Sequence, residues 1–210
     1  MADSSSSNLT PVNIDGCILP IVNGFHLQRY PGSILHAGLI DLIGELPEGL
    51  TLVEIGSFTG ESTTMFALRA NAVIAVDSWA FPRGAEVEYL FDQRARLFRN
   101  IIKIKEDSAT AAQMFQDSSV DAVYIDAGHD YHSVYTDILA WYPKVKPDGY
   151  LCGHDYCTQY PGVVTAVTQC LGRIQHVFCD GSWIKQKQMG PASNLFRGVD
   201  ETRTGNSRDI

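Results

Sequence analysis

Short apolar runs alternate along the chain with longer stretches in which apolar positions recur every three or four residues. Runs such as Leu52-Val-Glu-Ile55 and Ala72-Val-Ile-Ala-Val76 predict strands at 51–55, 72–76, 101–104, 121–125, 149–153, 175–179 and 182–186. The spaced stretches predict helices over 32–45, 61–70, 84–99, 108–116, 131–142 and 161–172. Regular alternation of this kind builds a sheet of mostly parallel strands with helices on both faces, a Rossmann-like doubly wound α/β fold of seven strands. The turn Cys179-Asp-Gly-Ser182 joins the last two strands as a hairpin, so one edge strand should run antiparallel. Polar, weakly patterned residues 1–10 and 192–210 read as flexible ends around a single domain, 11–191.

The junction from Leu52 to Ser62 is the first sign of a binding function: an apolar strand enters a loop with Gly56 and Gly60, and Glu61 opens a helix. A dinucleotide fingerprint needs a second glycine two positions after the first, so that the backbone can approach a pyrophosphate. Here Phe58 holds that position, and Glu54 and Glu61 place negative charge where phosphates would sit. A cationic, phosphate-free nucleoside fits better, and S-adenosylmethionine is the common one. Asp77 ends the next strand about twenty residues later, where a carboxylate accepts both hydroxyls of a ribose; its alternative is a turn cap with Ser78. Ser57 and Ser78 flank these contacts. Asp107 and Ser108 follow the third strand and could meet the adenine edge, or Asp107 could cap the helix behind it. Trp79 is read either as a plate for the adenine ring or as a core anchor.

Composition narrows the partners. The net charge is −8 with no Lys/Arg cluster, so nucleic acid is not an expected partner, and a small hydroxylated molecule is. No apolar run reaches the roughly 18 residues of a spanning helix, no leader pattern opens the chain, and a cytoplasmic protein without a membrane partner is expected. The five cysteines, Cys17, Cys152, Cys157, Cys170 and Cys179, form no C-x-x-C pair and read as reduced, mostly buried thiols. An apolar N-terminal segment around Cys17, Phe25, His26, Tyr30 and His36 could cover a pocket or join copies into a homo-oligomer. Arg94, Arg96 and Arg99 share a helix with Glu86 and Glu88 and read as a solvated face, whereas Trp141 reads as core.

The most chemically loaded stretches are Val123-Tyr-Ile-Asp-Ala-Gly-His-Asp-Tyr131 and Gly153-His-Asp-Tyr156. Both follow predicted strand ends, where ligands bind in a doubly wound sheet. Asp126 and Asp155 with waters suit Mg²⁺, and coordination by His154 would shift the preference toward Mn²⁺ or another transition ion. The alternatives are that Asp126 holds backbone amides and that His154 and Asp155 pair with each other. His129 shares a loop with Asp126 and is the expected general base, with His132 as its competitor.

These blocks, together with Asp137-Ile-Leu-Ala-Trp-Tyr-Pro-Lys-Val-Lys-Pro-Asp-Gly149 and Pro161-Gly-Val163, resemble class I S-adenosylmethionine-dependent methyltransferases. They are most similar to the branch of metal-dependent O-methyltransferases that act on sugars of macrolides and related natural products. The resemblance covers residues 50–188. It implies cofactor binding at Glu54, Gly56, Gly60, Asp77 and Asp107, a metal at Asp126, a histidine base at His129, and an acidic pair after the next strand. In this chain the first of that pair is His154, which leaves two carboxylates instead of three. The expected activity is O-methylation of a small hydroxylated acceptor such as a sugar or glycoside. A nucleoside-binding regulatory protein without transfer activity is the main rival, and a nicotinamide-dependent oxidoreductase is a second, opposed by Phe58.

Overall fold

The computed structural model describes residues 10–14, 17–21 and 28–188. Its centre is a seven-stranded sheet of β3 (Thr51–Ile55), β4 (Ala72–Asp77), β5 (Ile101–Lys105), β6 (Val120–Ile125), β7 (Val145–Gly153), β8 (His176–Val177) and β9 (Trp183–Gln186). The spatial order is β5-β4-β3-β6-β7-β9-β8. Strands β3 to β7 are parallel to one another, and β9 runs antiparallel beside β7 and β8, so the expected hairpin does turn one edge of the sheet. The chain winds outward from β3 to β5, then returns to lay β6 on the other side of β3. Loops leaving β3 and β6 therefore diverge, which opens a crevice at their carboxyl ends.

Among the described residues, six α-helices cover the faces: α1 (Ile34–Glu45), α2 (Glu61–Ala67), α3 (Gly84–Ala95), α4 (Ser108–Ala112), α5 (Tyr131–Trp141) and α6 (Pro161–Leu171). Central strands are apolar on both sides because both sides are covered. Val53, Ile55, Val123 and Leu151 pack under Ile138, Trp141 and Trp183, while Leu52, Val73 and Tyr124 pack under Leu39, Leu42 and Phe66. The expected elements are all present, with shorter ends for α2, α3 and α4, a two-residue β8 in place of the strand expected over 175–179, and a longer β7. That strand starts at Val145 and passes through Asp148 in the left-handed region, φ 60°, before Gly149.

A second, two-stranded sheet was not legible in the sequence: β1 (Thr10–Ile14) pairs antiparallel with β2 (Cys17–Ile21). Pro11 lies opposite Pro20, and prolines, which lack the ladder N–H, argue against a strand reading. The ends expected to be loose, 1–10 and 192–210, lie outside the described residues except Thr10, which begins β1; Phe25 and His26 also lie outside them. Among the described cysteines, Cys152 and Cys170 are buried as expected, whereas Cys179 is exposed. No described helix is long and apolar enough to cross a membrane.

Candidate active site

A cavity of about 720 Å³ opens over the carboxyl ends of β3, β4, β5 and β6, within the ~300–1,000 Å³ usual for small-molecule sites. The loop after β3 forms its floor. Gly56 has φ 89°, and a Cβ there would collide with the backbone carbonyl of Asp126. Gly60 (φ 82°) turns the chain into α2. Between them Phe58 takes φ 45°, a costly conformation for an aromatic residue, and its N–H donates to Asp77 Oδ2 at 2.9 Å. Asp77 Oδ1 accepts from Trp79 N–H at 2.8 Å, and Trp79 Nε1 donates to the Phe58 carbonyl at 2.9 Å. Asp77 thereby ties the first loop to the second, and each oxygen keeps a further lone pair for a ligand hydroxyl.

Of the cofactor residues expected from sequence, Gly56, Ser57, Asp77, Ser78, Asp107, Ser108 and Asp126 line the cavity. Glu54, Gly60 and Trp79 stand behind its wall. Glu54 is fully buried beneath the loop, where its carboxylate accepts from the Thr63 hydroxyl, and burial pushes its pKa up to about 7. Trp79 is a core anchor, with its ring 5.1 Å from that of Phe91. The aromatic plates on the wall are instead Phe58 and Phe81, whose ring centroids lie 6.1 Å apart at 22°. Phe58 registered in the sequence only as a missing glycine. Asp107 caps α4 by accepting from Ala109 N–H at 3.0 Å, and stays exposed to the cavity. The Ser108 hydroxyl is committed to Asp137 Oδ1 at 2.5 Å and accepts from Trp141 Nε1 at 3.0 Å; burial raises the Asp137 carboxyl to about 6.

At the other end the chemically loaded side chains converge. His129 Nε2 lies 3.0 Å from Asp155 Oδ2, and His154 Nδ1 lies 2.9 Å from Asp155 Oδ1 and 3.7 Å from Asp126 Oδ1. The hydrogen bond to Asp155 holds the pKa of His129 above its ordinary 6.5. Burial works against the imidazolium of His154, but the nearby carboxylates of Asp155, Asp180 and Asp126 overcome it and push the pKa up to about 10. Burial also opposes the Asp155 carboxylate, and the two histidines more than offset that, holding it well below the usual carboxylate range. His132 faces the cavity as well.

Three features here had no signal in residue spacing. Arg29 Nη2 reaches Asp126 Oδ2 at 2.9 Å from a segment far away in sequence. Its own N–H and that of Gln28 donate to Glu61 Oε2 at 2.8 and 2.9 Å, fastening that segment to the start of α2. Arg94, expected on a solvated face, is buried; its Nη1 donates to the Thr59 carbonyl at 2.6 Å and its Nη2 lies 3.6 Å from Glu61. The glycine loop needs a donor at that carbonyl, and α3 supplies it from within. Arg96 and Arg99 are exposed as expected.

The expected metal donors, Asp126, His154 and Asp155, do come together, with one ligand atom from each within 4.8 Å of the others. Their surroundings are already cationic. Asp126 is bonded to Arg29, and the Asp155 oxygens face the two imidazoles. Two unit charges 4 Å apart interact by about 4 kcal/mol at an effective dielectric constant of 20, and a dication doubles the repulsion from Arg29. The donor set as folded does not fit a resident divalent ion.

Residues 53–156 match the model of a family described as "Methyltransferase domain". The curated "Uncharacterized protein y4gI" of Sinorhizobium fredii is 28% identical over 116 residues, which are 50% of this chain and only 13% of that protein. Among solved structures, an rRNA methylase from Streptococcus thermophilus superposes with a TM-score of 0.54 at 15% identity, over 75% of this chain and 99% of that one. A SAM-dependent O-methyltransferase from Thermotoga maritima gives 0.54 at 14% identity, over 76% and 66%. At such identities the likeness is one of fold, and the family match runs from β3 to just beyond β7. Residues 53–156, just under half of the chain, thus match a methyltransferase-domain family, and the sheet that carries them has a Rossmann-like fold.

Proposed function

We propose that the cavity binds S-adenosylmethionine and that the chain transfers its methyl group to an oxygen of a small hydroxylated acceptor, such as a sugar or glycoside. One observation carries this reading: a single cavity is lined both by Asp77, whose carboxylate accepts from the glycine loop, and by His129, which Asp155 backs at 3.0 Å. The cofactor supplies an electrophilic methyl group when bound. The residues fit it: Gly56 lets the loop close against the Asp126 carbonyl, Asp77 offers acceptors for a diol, and Phe58 and Phe81 offer faces for a base.

His129 is the proposed general base. Its Nε2 lies 3.0 Å from Asp155 Oδ2, and with the proton held on that nitrogen Nδ1 is left to accept the acceptor's hydroxyl proton as the oxygen attacks. Asp155 then stabilises the imidazolium that forms. Holding the acceptor oxygen in line with the methyl group supplies much of the rate, and the base about 10²- to 10⁴-fold more.

The experiment is methyl transfer from label-bearing S-adenosylmethionine to a panel of hydroxylated metabolites, run beside binding of S-adenosylhomocysteine. Transfer to oxygen supports the reading. Tight binding with no transfer to any class of acceptor favours a nucleoside-binding protein, and preference for NAD favours an oxidoreductase.

A further inference from the structure

Arg29 lies outside the residues that match the methyltransferase family, yet it reaches the centre of the site. Its side chain is 6% exposed and that of Asp126 is 17% exposed, so the pair at 2.9 Å is shielded from water. The placement is enforced from both ends. Glu61 clasps the backbone N–H groups of Gln28 and Arg29, and Arg94 stands 3.6 Å behind Glu61. A flexible surface arginine would have none of these constraints. The guanidinium is therefore built into the wall of the cavity, against the carboxylate that would otherwise be first to take a cation.

We infer that Arg29 is the resident cation of this site: it neutralises Asp126 in place of a divalent metal, and the chain neither holds nor requires such an ion. The replacement accounts for the composition of the cluster. With a permanent positive charge at Asp126, one carboxylate fewer is needed, and a histidine at position 154 is tolerated where a metal site would favour an acid. Arg29 is a positioning residue, aiming Asp126 at the reacting end of the cavity; that role rests on the methyltransferase reading, whereas the exclusion of a metal does not.

The test uses Mn²⁺ alone as probe on the full chain after chelation and dialysis, with bound ion counted by electron paramagnetic resonance. The parent should take up no stoichiometric Mn²⁺, and Arg29→Lys, which keeps the charge, should match it. Arg29→Met should gain one ion per chain, bound at least ~10-fold more tightly than by the parent, a coupling of about 1.4 kcal/mol. Arg29→Met combined with Asp126→Asn should lose it again. If Arg29→Met does not fold, Glu61→Ala, which releases the clasp and leaves the donor set intact, should gain the ion instead. One tight Mn²⁺ per parent chain overturns the inference, as does a folded Arg29→Met or Glu61→Ala variant that binds no more than the parent. Because the measurement needs neither acceptor nor turnover, its failure is distinct from a failure of methyl transfer.

Discussion

Replacing Asp77 with Ala tests the cofactor assignment at a point where geometry sets the expected size of the effect. The carboxylate accepts Phe58 N–H at 2.9 Å and Trp79 N–H at 2.8 Å, and its two remaining lone-pair directions are those proposed for the ribose hydroxyls. Hydrogen bonds to a charged acceptor are worth about 1.5–3 kcal/mol each, so two give a gross loss of about 3–6 kcal/mol. Asp77 is only half-buried, and water offsets part of that loss in the empty cavity. A net loss of about 1.4–3 kcal/mol is expected, a ~10- to 150-fold weaker affinity. Calorimetric titration with S-adenosylhomocysteine reads it directly. Asp77→Asn keeps one carbonyl acceptor but turns an amide toward a backbone N–H, and should fall between parent and Ala. Thermal melts of the free proteins separate this from damage to the loop, since losing the two bonds should cost about 1–3 kcal/mol of stability without unfolding the domain. Parental affinity in a folded Asp77→Ala variant would refute the ribose assignment.

The other predictions concern the base, the loop floor and the buried acid. His129→Ala should slow single-turnover methyl transfer by about 10²-fold or more and leave S-adenosylhomocysteine affinity nearly unchanged; a joint loss of both moves the role elsewhere, first to His132. Because Asp155 raises the pKa of His129, the parent's rate should fall with acidification through a midpoint above 6.5, and Asp155→Asn should move that midpoint down; a midpoint that stays put denies the pair its coupling. Gly56→Ala combines a positive φ with a collision against the Asp126 carbonyl, so the melting temperature and cofactor affinity should both drop, and an unchanged variant would contradict the close approach of the two loops. For Glu54 the folded pKa is raised from 4.5 to about 7, so the native state binds its proton more tightly than the unfolded chain and loses stability as pH rises between those values. Glu54→Gln should remove that slope and be more stable than the parent by about 1–3 kcal/mol above pH 7; a variant less stable there would show that the charged form is needed.

The sheet and most of its site were legible in the sequence because they depend on local signals. Leu52, Val53 and Ile55 announce a buried strand, Gly56 and Gly60 a tight turn, and strand ends at Asp77, Asp107, Asp126 and Asp155 fall on one edge of any doubly wound sheet. What was lost depends on tertiary neighbours. Arg94 sits among charges on an amphipathic helix and looks solvated until the Thr59 carbonyl is seen to need it. Trp79 follows the ribose strand and looks like a cofactor plate until Phe91 claims its face. Arg29 is 97 residues from Asp126, and no spacing rule links them. His129 and His154 can be located after strand ends from the sequence, but their charge depends on Asp155 and Asp180, which arrive from two different loops.

Calorimetric titration of the parent with S-adenosylhomocysteine, S-adenosylmethionine and NAD in parallel is the most direct measurement of the central claim, that the cavity over β3 and β4 holds a phosphate-free adenosyl cofactor. Phe58 in place of a glycine, and Glu61 at the start of α2, should admit one molecule of either sulfur nucleoside per chain and reject the pyrophosphate. Binding of NAD at the same site, or no heat from either sulfur nucleoside with a folded protein, would contradict it.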